Sequence, residues 1–247
     1  MDALEAKLKE YSPYLEDLFR RVYIITIAFI GFFIIGFFLA GPFIRFLTHF
    51  FDFEDVTLAT TSPFQFVGLA MDAGLFFAMV FCIPLCVYHL YRFIGSGLRK
   101  KERKIILLIL PLSAILFLLG FAYCFFMLYF TMQTLATINV SFGVTNLWDI
   151  SMFLSQIIST SALLGLIFEF PIVITLLTKL GFIDTDFLRK KRRYAIFGMF
   201  IFTSLLPPTD GISLLMMVLP LIFMYEATIL LNRFGTKRTN VGYQLIS

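Results

Sequence analysis

Glu169 is the residue of this sequence with the clearest chemical potential, because it is the only charged side chain in the apolar stretch 163–177. A stretch this apolar belongs in a bilayer, where a charge near the middle costs about 3 kcal/mol or more. Such a residue normally faces the interior of a helix bundle or a wet cavity. We therefore interpret Glu169 as a candidate intramembrane functional residue. The alternative is a protonated structural carboxyl that is hydrogen-bonded to a neighbouring helix.

Three of the acids outside the apolar stretches are candidates for ligand binding. Glu16 and Asp17 precede the first stretch, and Glu102 lies inside the basic run RKKERK at 99–104. A carboxylate in such surroundings either tempers the local positive charge or is directed at a cationic ligand. Arginine is the natural ligand in the second case, because its planar guanidinium binds a carboxylate through two parallel hydrogen bonds.

Catalytic and metal-binding patterns are absent from the sequence. It has two histidines and no HExxH motif, no GxSxG elbow and no glycine-rich phosphate loop. Cys82, Cys86 and Cys124 are interpreted as small buried hydrophobic residues, because no set of four zinc ligands forms around them. The basic and aromatic interleaving of a nucleic-acid surface is also missing. We expect no enzyme activity, cofactor, metal or nucleic-acid partner.

The composition is that of a membrane protein. Of 247 residues, 60% are hydrophobic and 15% are charged, and the mean hydropathy is +0.91. A soluble domain is about half apolar and about a quarter charged. The chain is therefore predicted to be a polytopic, all-α membrane protein with one transmembrane domain over 1–247.

Six transmembrane helices account for the apolar stretches. A cytoplasmic amphipathic segment over 1–21 precedes the bundle at 22–231, and a polar cytoplasmic tail follows at 232–247. The fifth span has about 13 residues, or about 20 Å against about 30 Å of hydrocarbon, and the sixth is also expected to be short. The predicted spans are 22–40, 64–93, 105–131, 150–178, 194–206 and 212–231.

The connecting segments carry further expectations. An interfacial helix is predicted within 43–63, and a polar loop over 132–149 contains Trp148 as an interfacial anchor. Pro84 lies inside the second span and should kink it.

The distribution of basic residues predicts the orientation. Arg45 is the one cation among 20 that lies outside the N-terminal segment, the loops near 92–104 and 179–193, and the tail. The positive-inside rule then places both termini in the cytoplasm, and six spans require the same parity.

Several motifs, in order along the chain, resemble those of the TatC family, the polytopic receptor subunits of the twin-arginine protein translocase. YLEDLFRR at 14–21 is similar to the family's HLxELRxR, with Tyr14, Asp17 and Phe19 as departures. The run at 84–103 resembles PxxxYQxWxFxxPxLxxxER, with His89 for the glutamine and Ser96 for the second proline. SPF at 62–64, FEFP at 168–171, LLPPTD at 205–210 and LPLIFMYE at 219–226 complete the resemblance.

The resemblance implies a non-enzymatic receptor in the cytoplasmic (inner) membrane, built as a cupped bundle of six helices. Its ligands would be twin-arginine signal peptides of folded cargo proteins, and its partners would be TatA- and TatB-like single-span proteins, membrane lipid and further copies of the receptor. Transport would use the proton-motive force. The implied signal-peptide site comprises Asp17, Arg21, Phe93, Glu102 and Arg103. Structural or partner-docking candidates are Pro42, Pro84, Tyr88, Asp210 and Glu226.

A proton-coupled secondary transporter of a small solute, with Glu169 as relay, is the alternative function. Such folds usually have internal repeats or paired broken helices at the midplane. No convincing repeat is present in this sequence.

Overall fold

The computed structural model of this chain describes residues 2–51, 53, 56–94, 103–179, 183–208 and 210–243. For residues 2–15, 91, 93–94, 103–110, 179 and 233–243 it describes the backbone alone. Within these ranges the chain forms helices and one pair of short strands. The elements are α1 (Asp2–Phe38), α2 (Ala40–Phe50), β1 (Val56–Ala59), α3 (Gln65–Ile94), α4 (Arg103–Ser141), β2 (Asn146–Asp149), α5 (Ile150–Ile167), α6 (Phe170–Lys179), α7 (Thr185–Lys190), α8 (Arg192–Ser204) and α9 (Gly211–Tyr243).

Five apolar stretches among the described residues are long enough to cross a membrane. They are Glu16–Phe38, Gln65–Leu90, Pro111–Ser141, Ile150–Thr178 and Gly211–Asn232. The helix α8, with 13 residues, corresponds to the predicted short fifth span. The sixth span, Gly211–Asn232, has 22 residues and is the shortest of the other five. The prediction of an all-α membrane fold is confirmed.

We predicted that 1–21 forms a separate helix at the membrane surface, and this prediction is wrong. The helix α1 runs without a break from Asp2 to Phe38. The chain turns at Leu39, one residue before the predicted end of the first span at 40, and α2 begins at once. Pro42 lies in the first turn of α2, where its missing N–H group is tolerated. The predicted interfacial helix corresponds to α2.

Glycines allow neighbouring helices to pack closely at two crossings of the bundle. α1 packs against α3, and a Cβ atom added at Gly36 would lie 2.7 Å from Cβ of Phe77. α4 packs against α5, and a Cβ atom at Gly120 would lie 2.6 Å from Cγ of Phe168. These glycines permit distances that a larger residue would prevent.

A parallel pair of strands, which we did not predict, joins the loops that follow α2 and α4. Val56 of β1 pairs with Asn146 of β2, and Ala59 pairs with Asp149. The predicted polar loop over 132–149 is wrong in its first half, because α4 continues as a helix to Ser141. Trp148 is half-buried and packs on the rings of Phe53 and Phe153, with centroids 6.3 and 5.2 Å away.

The last helix contacts α4, α6, α7 and α8. The Tyr225 hydroxyl is buried and donates to the Leu188 carbonyl of α7 at 2.8 Å. α9 continues to Tyr243, so the predicted tail begins inside a helix.

Candidate functional site

The predicted fourth span is broken at Glu169. The predicted span over 150–178 is confirmed as an apolar stretch long enough to cross a membrane, but it consists of two helices, because α5 ends at Ile167 and α6 begins at Phe170. Pro171 cannot donate a backbone hydrogen bond to the carbonyl four residues before it. The chain instead makes a tight turn, in which the Glu169 N–H donates to the Leu166 carbonyl at 3.2 Å.

The Glu169 side chain is buried at this break, with 4% of its surface exposed. Neither carboxyl oxygen has a hydrogen-bond partner among the described residues. The Ser113 hydroxyl of α4 interacts with the carboxyl, but the two groups do not meet the geometry of a hydrogen bond. A buried polar group without partners costs about 1–3 kcal/mol, and more for a charged one. This arrangement favours a functional role over a satisfied structural carboxyl.

Glu169 lines a cavity of about 390 Å³ between α1, α3 and the broken fourth span. Most of the cavity wall is apolar. Its polar side chains are Glu169, Arg21 and His89. The cavity therefore connects the intramembrane carboxyl to the part of α1 that contains the predicted signal-peptide residues.

Asp17 and Arg21 form an ion pair on α1. Nη2 and Nε of Arg21 lie 2.8 and 2.9 Å from Oδ2 of Asp17. The Arg21 side chain is 14% exposed and that of Asp17 is 46% exposed. Arg21 also donates from Nη1 to the His89 carbonyl at 3.4 Å, which ties α1 to α3. Both residues were predicted to contact a ligand, and the structure binds them to each other.

The remaining signal-peptide candidates are only partly placed. Glu102 lies outside the described residues. Phe93 is placed by its backbone in the last turn of α3, and Arg103 by its backbone at the first residue of α4. Their roles in ligand binding stay predictions.

Two of the structural or docking candidates lie on α3. Pro84 is half-buried inside the helix. The Tyr88 hydroxyl accepts a hydrogen bond from Nη1 of Arg92 at 3.3 Å, and its ring lies edge-on to His89.

Asp210 and Glu226 make contacts within the fold. Oδ2 of Asp210 accepts from the Ser213 N–H at 2.9 Å, which caps the start of α9. Glu226 forms an ion pair of 2.8 Å with Arg192 and joins α9 to α8. These contacts provide structural roles for both residues.

Asp149 is a connecting residue that the sequence analysis missed. Its carboxylate accepts from the backbone N–H groups of Ser151 and Met152, both at 2.9 Å, and so caps α5. It also accepts from the Thr61 hydroxyl, and from the Gln65 amide at 2.6 Å. These bonds, that of Thr61 above all, lower the pKa of Asp149 to about 2. The sequence does contain a signal for this role, because an Asp directly before an apolar stretch is typical of a helix N-cap.

Comparison with known proteins places this arrangement in a family. A family model described as Sec-independent protein translocase protein (TatC) matches residues 13–220. The chain belongs to the TatC family. It is 30% identical to the Sec-independent protein translocase protein TatCy of Bacillus subtilis over 239 residues. This alignment covers 96% of this chain and 94% of the relative. It is 36% identical to the Sec-independent protein translocase protein TatC of Halothiobacillus neapolitanus over 186 residues, and this alignment covers 74% of this chain and 49% of the relative.

A solved structure agrees with this assignment. The crystal structure of a twin-arginine translocase receptor, TatC, superimposes with a TM-score of 0.75 at 27% identity and covers 90% of this chain and 99% of that one. The protein is therefore a multi-pass membrane subunit of a Sec-independent protein translocase, a transport component.

Proposed function

We propose that this TatC-family protein is the receptor of a twin-arginine translocase in the cytoplasmic membrane, with both termini in the cytoplasm. It binds signal peptides that carry two adjacent arginines, and with TatA- and TatB-like partners it exports folded proteins at the expense of the proton-motive force. The observation that carries this proposal is the Asp17 carboxylate, half-exposed on α1 beside the cavity and already engaged by one guanidinium.

Asp17 retains capacity for a second arginine. Both of its bonds to Arg21 use the Oδ2 atom. An ionised carboxylate accepts about four hydrogen bonds, and no side chain among the described residues donates to Oδ1. A ligand can therefore donate to Oδ1 while Arg21 holds the side chain in place. The Arg21 bond to the His89 carbonyl fixes the pair against α3.

Glu102 supplies the second acid of the proposed site, because two adjacent guanidinium groups require two anionic partners. The basic residues around Glu102 oppose a cationic ligand. Their charges are screened within about 8–10 Å at physiological salt, whereas a bidentate contact acts at close range.

The test is a titration of a fluorescent twin-arginine signal peptide against the purified wild type, Asp17→Ala and Glu102→Gln. Each loss of a charged hydrogen-bond partner is expected to cost about 1.5–3 kcal/mol, or roughly ten- to a hundredfold in affinity. Glu16→Ala is the matched control, because Glu16 is an exposed acid beside Asp17 and should not contact the ligand.

A peptide with two lysines in place of the arginines is the ligand control. It should bind more weakly than the arginine peptide, because an ammonium group lacks the fork of a guanidinium. If Asp17→Ala and Glu102→Gln are folded and bind with unchanged affinity, the two acids only balance local charge.

A further inference from the structure

A basic cavity at the junction of α7 and α8 has no part in the proposed recognition of signal peptides. It has a volume of about 380 Å³ and is lined by Asp186, Arg189, Lys190 and Arg192. Three cations therefore stand against one acid, and the cavity is positive. A partner for it must carry negative charge.

The cations near this cavity differ in the contacts that they already make with other side chains. Arg192 shares its charge with Glu226 at 2.8 Å. Lys191 and Arg193 lie over the Tyr194 ring, 5.2 and 4.9 Å from its centroid. In the part of the chain that the structure describes, Arg189 and Lys190 make no ion pair, and both are exposed. These two cations are available to an anion.

An apolar stripe begins where the cations end. Tyr194, Phe197 and Ile201 lie at the spacing of one helix face of α8 and are 56%, 64% and 50% exposed. In a multi-pass membrane protein such side chains face the lipid chains. The positive charge at the start of α8 matches the anionic headgroup of a phospholipid, and the apolar surface along the helix matches its acyl chains.

We propose that this cavity binds the headgroup of an anionic phospholipid, with the phosphate on Arg189 and Lys190 and the acyl chains along Tyr194, Phe197 and Ile201. Arginine forms bidentate hydrogen bonds with phosphate oxygens, and lysine adds a point charge. Basic pockets between transmembrane helices are suited to such headgroups.

The length of α8 adds a reason for a specific lipid at this place. Its 13 residues span about 20 Å against about 30 Å of hydrocarbon, so the lipids beside it must adapt to the mismatch. A headgroup that is held at the start of α8 would fix the level of the bilayer there. This inference does not depend on the proposed binding of signal peptides.

The experiment uses the full-length protein in a neutral detergent and measures lipid binding by native mass spectrometry. The probes are short-chain phosphatidylglycerol, phosphatidylcholine of the same chain length, and inorganic phosphate. The double variant Arg189→Gln/Lys190→Gln is compared with Arg20→Gln/Arg92→Gln, which removes the same charge from two exposed cations that do not line the cavity. The unfolding temperature without lipid verifies that each variant folds.

We expect phosphatidylglycerol to bind the wild type more tightly than phosphatidylcholine does. The cavity variant should lose roughly ten- to thirtyfold in affinity for phosphatidylglycerol, and the control variant less than threefold. Equal losses in both variants would show diffuse attraction and overturn the site. Equal binding of the two lipids would also overturn it. Full displacement of phosphatidylglycerol by inorganic phosphate would mean that the cavity binds a free anion and is not a lipid site.

Discussion

At the scale of single residues, Glu169 combines three properties that rarely occur together. It is 4% exposed, its carboxyl has no hydrogen-bond partner among the described residues, and it lies at a helix break beside a cavity. A residue with a purely structural role would normally have partners, because burial without them is unfavourable. The combination is expected where function requires the group.

Replacement of Glu169 separates these possibilities. Glu169→Ala should reduce export of a twin-arginine reporter protein at least tenfold and leave thermal stability nearly unchanged, since no hydrogen bond is lost. Glu169→Gln should be milder, because the amide keeps the size and the hydrogen-bonding capacity. Ser161→Ala is the control, because Ser161 is a buried hydroxyl of α5 that lies beside Cys124 and does not line the cavity. Normal export by Glu169→Ala, together with a lower unfolding temperature, would assign a structural role.

The Asp17–Arg21 pair could have been predicted from spacing alone, since residues four apart share a helix face. The cavity beside it could not, because α1, α3 and the broken fourth span meet there only in the folded bundle. Sequence reasoning found Glu169 from its charge in an apolar stretch. The missing partners of its carboxyl depend on packing that hydropathy does not describe.

At the scale of elements, Asp149 joins the start of α5 to the segment before α3. Its folded pKa of about 2 lies below the ordinary 3.8, so its bonds stabilise the fold above about pH 4 and are lost as the pH falls towards 2. The unfolding temperature of the wild type should therefore fall more between pH 5 and pH 2.5 than that of Asp149→Asn. Calorimetry in detergent measures this difference.

The control for the pH experiment is Asp184→Asn. Asp184 is the residue before α7, and its side chain makes no capping hydrogen bond. This variant should follow the wild type across the whole range. Parallel curves for wild type and Asp149→Asn would mean that the Asp149 bonds contribute no stability.

The crossing of α4 and α5 depends on Gly120. A methyl group there would lie 2.6 Å from Cγ of Phe168, which is 2% exposed and cannot move aside. Gly120→Ala should destabilise the fold by about 1–3 kcal/mol, measured by thermal unfolding. Gly31→Ala in α1 is the matched control, because no atom lies within 4 Å of the added methyl group, and it should stabilise by about 0.5–1 kcal/mol. A neutral Gly120→Ala would show that the crossing can relax.

Hydropathy predicted these helices well where apolar runs end at polar residues, as at 64–93 against the observed Gln65–Ile94. It failed where tertiary contacts decide. The strands β1 and β2 have four residues each and are far apart in the chain, so their pairing is set by the bundle around them. Pro171 was visible in the sequence, but a proline is compatible with a kink or with a full break, and the surrounding packing selects between them.

At the scale of the whole molecule, contacts place the ends of the helices in two groups. The β1–β2 pair brings the loops after α2 and α4 together. The Arg192–Glu226 ion pair and the Tyr225–Leu188 bond bring α7 and the start of α8 together with the middle of α9. The basic residues of 189–193 lie in the second group. These contacts fit the proposed orientation, with the first group outside the cell.

The short helix α8 decides on which side the C-terminus lies. If α8 did not cross the bilayer, α9 would cross in the opposite direction and the C-terminus would be outside. Arg192 lies about 18 Å along α8 from Ser204, and Glu226 lies about 22 Å along α9 from Gly211. The ion pair between them therefore requires that α8 and α9 are antiparallel and that both extend about the same distance from the turn that joins them. We therefore expect α8 to cross.

Cysteine labelling in intact cells tests this topology with a thiol reagent that does not cross membranes. A cysteine at the exposed Thr145 should react at once, whereas Lys191→Cys and a cysteine added after Ser247 should react only once the membrane is permeabilised. The unmodified chain is the control, because Cys82 and Cys124 are buried and Cys86 is half-buried. Labelling of the C-terminal cysteine in intact cells, as well as of Thr145→Cys but not of Lys191→Cys, would mean that α8 does not cross. Labelling of Lys191→Cys would reverse the orientation of the bundle, and the proposed cytoplasmic site for signal peptides would then be wrong.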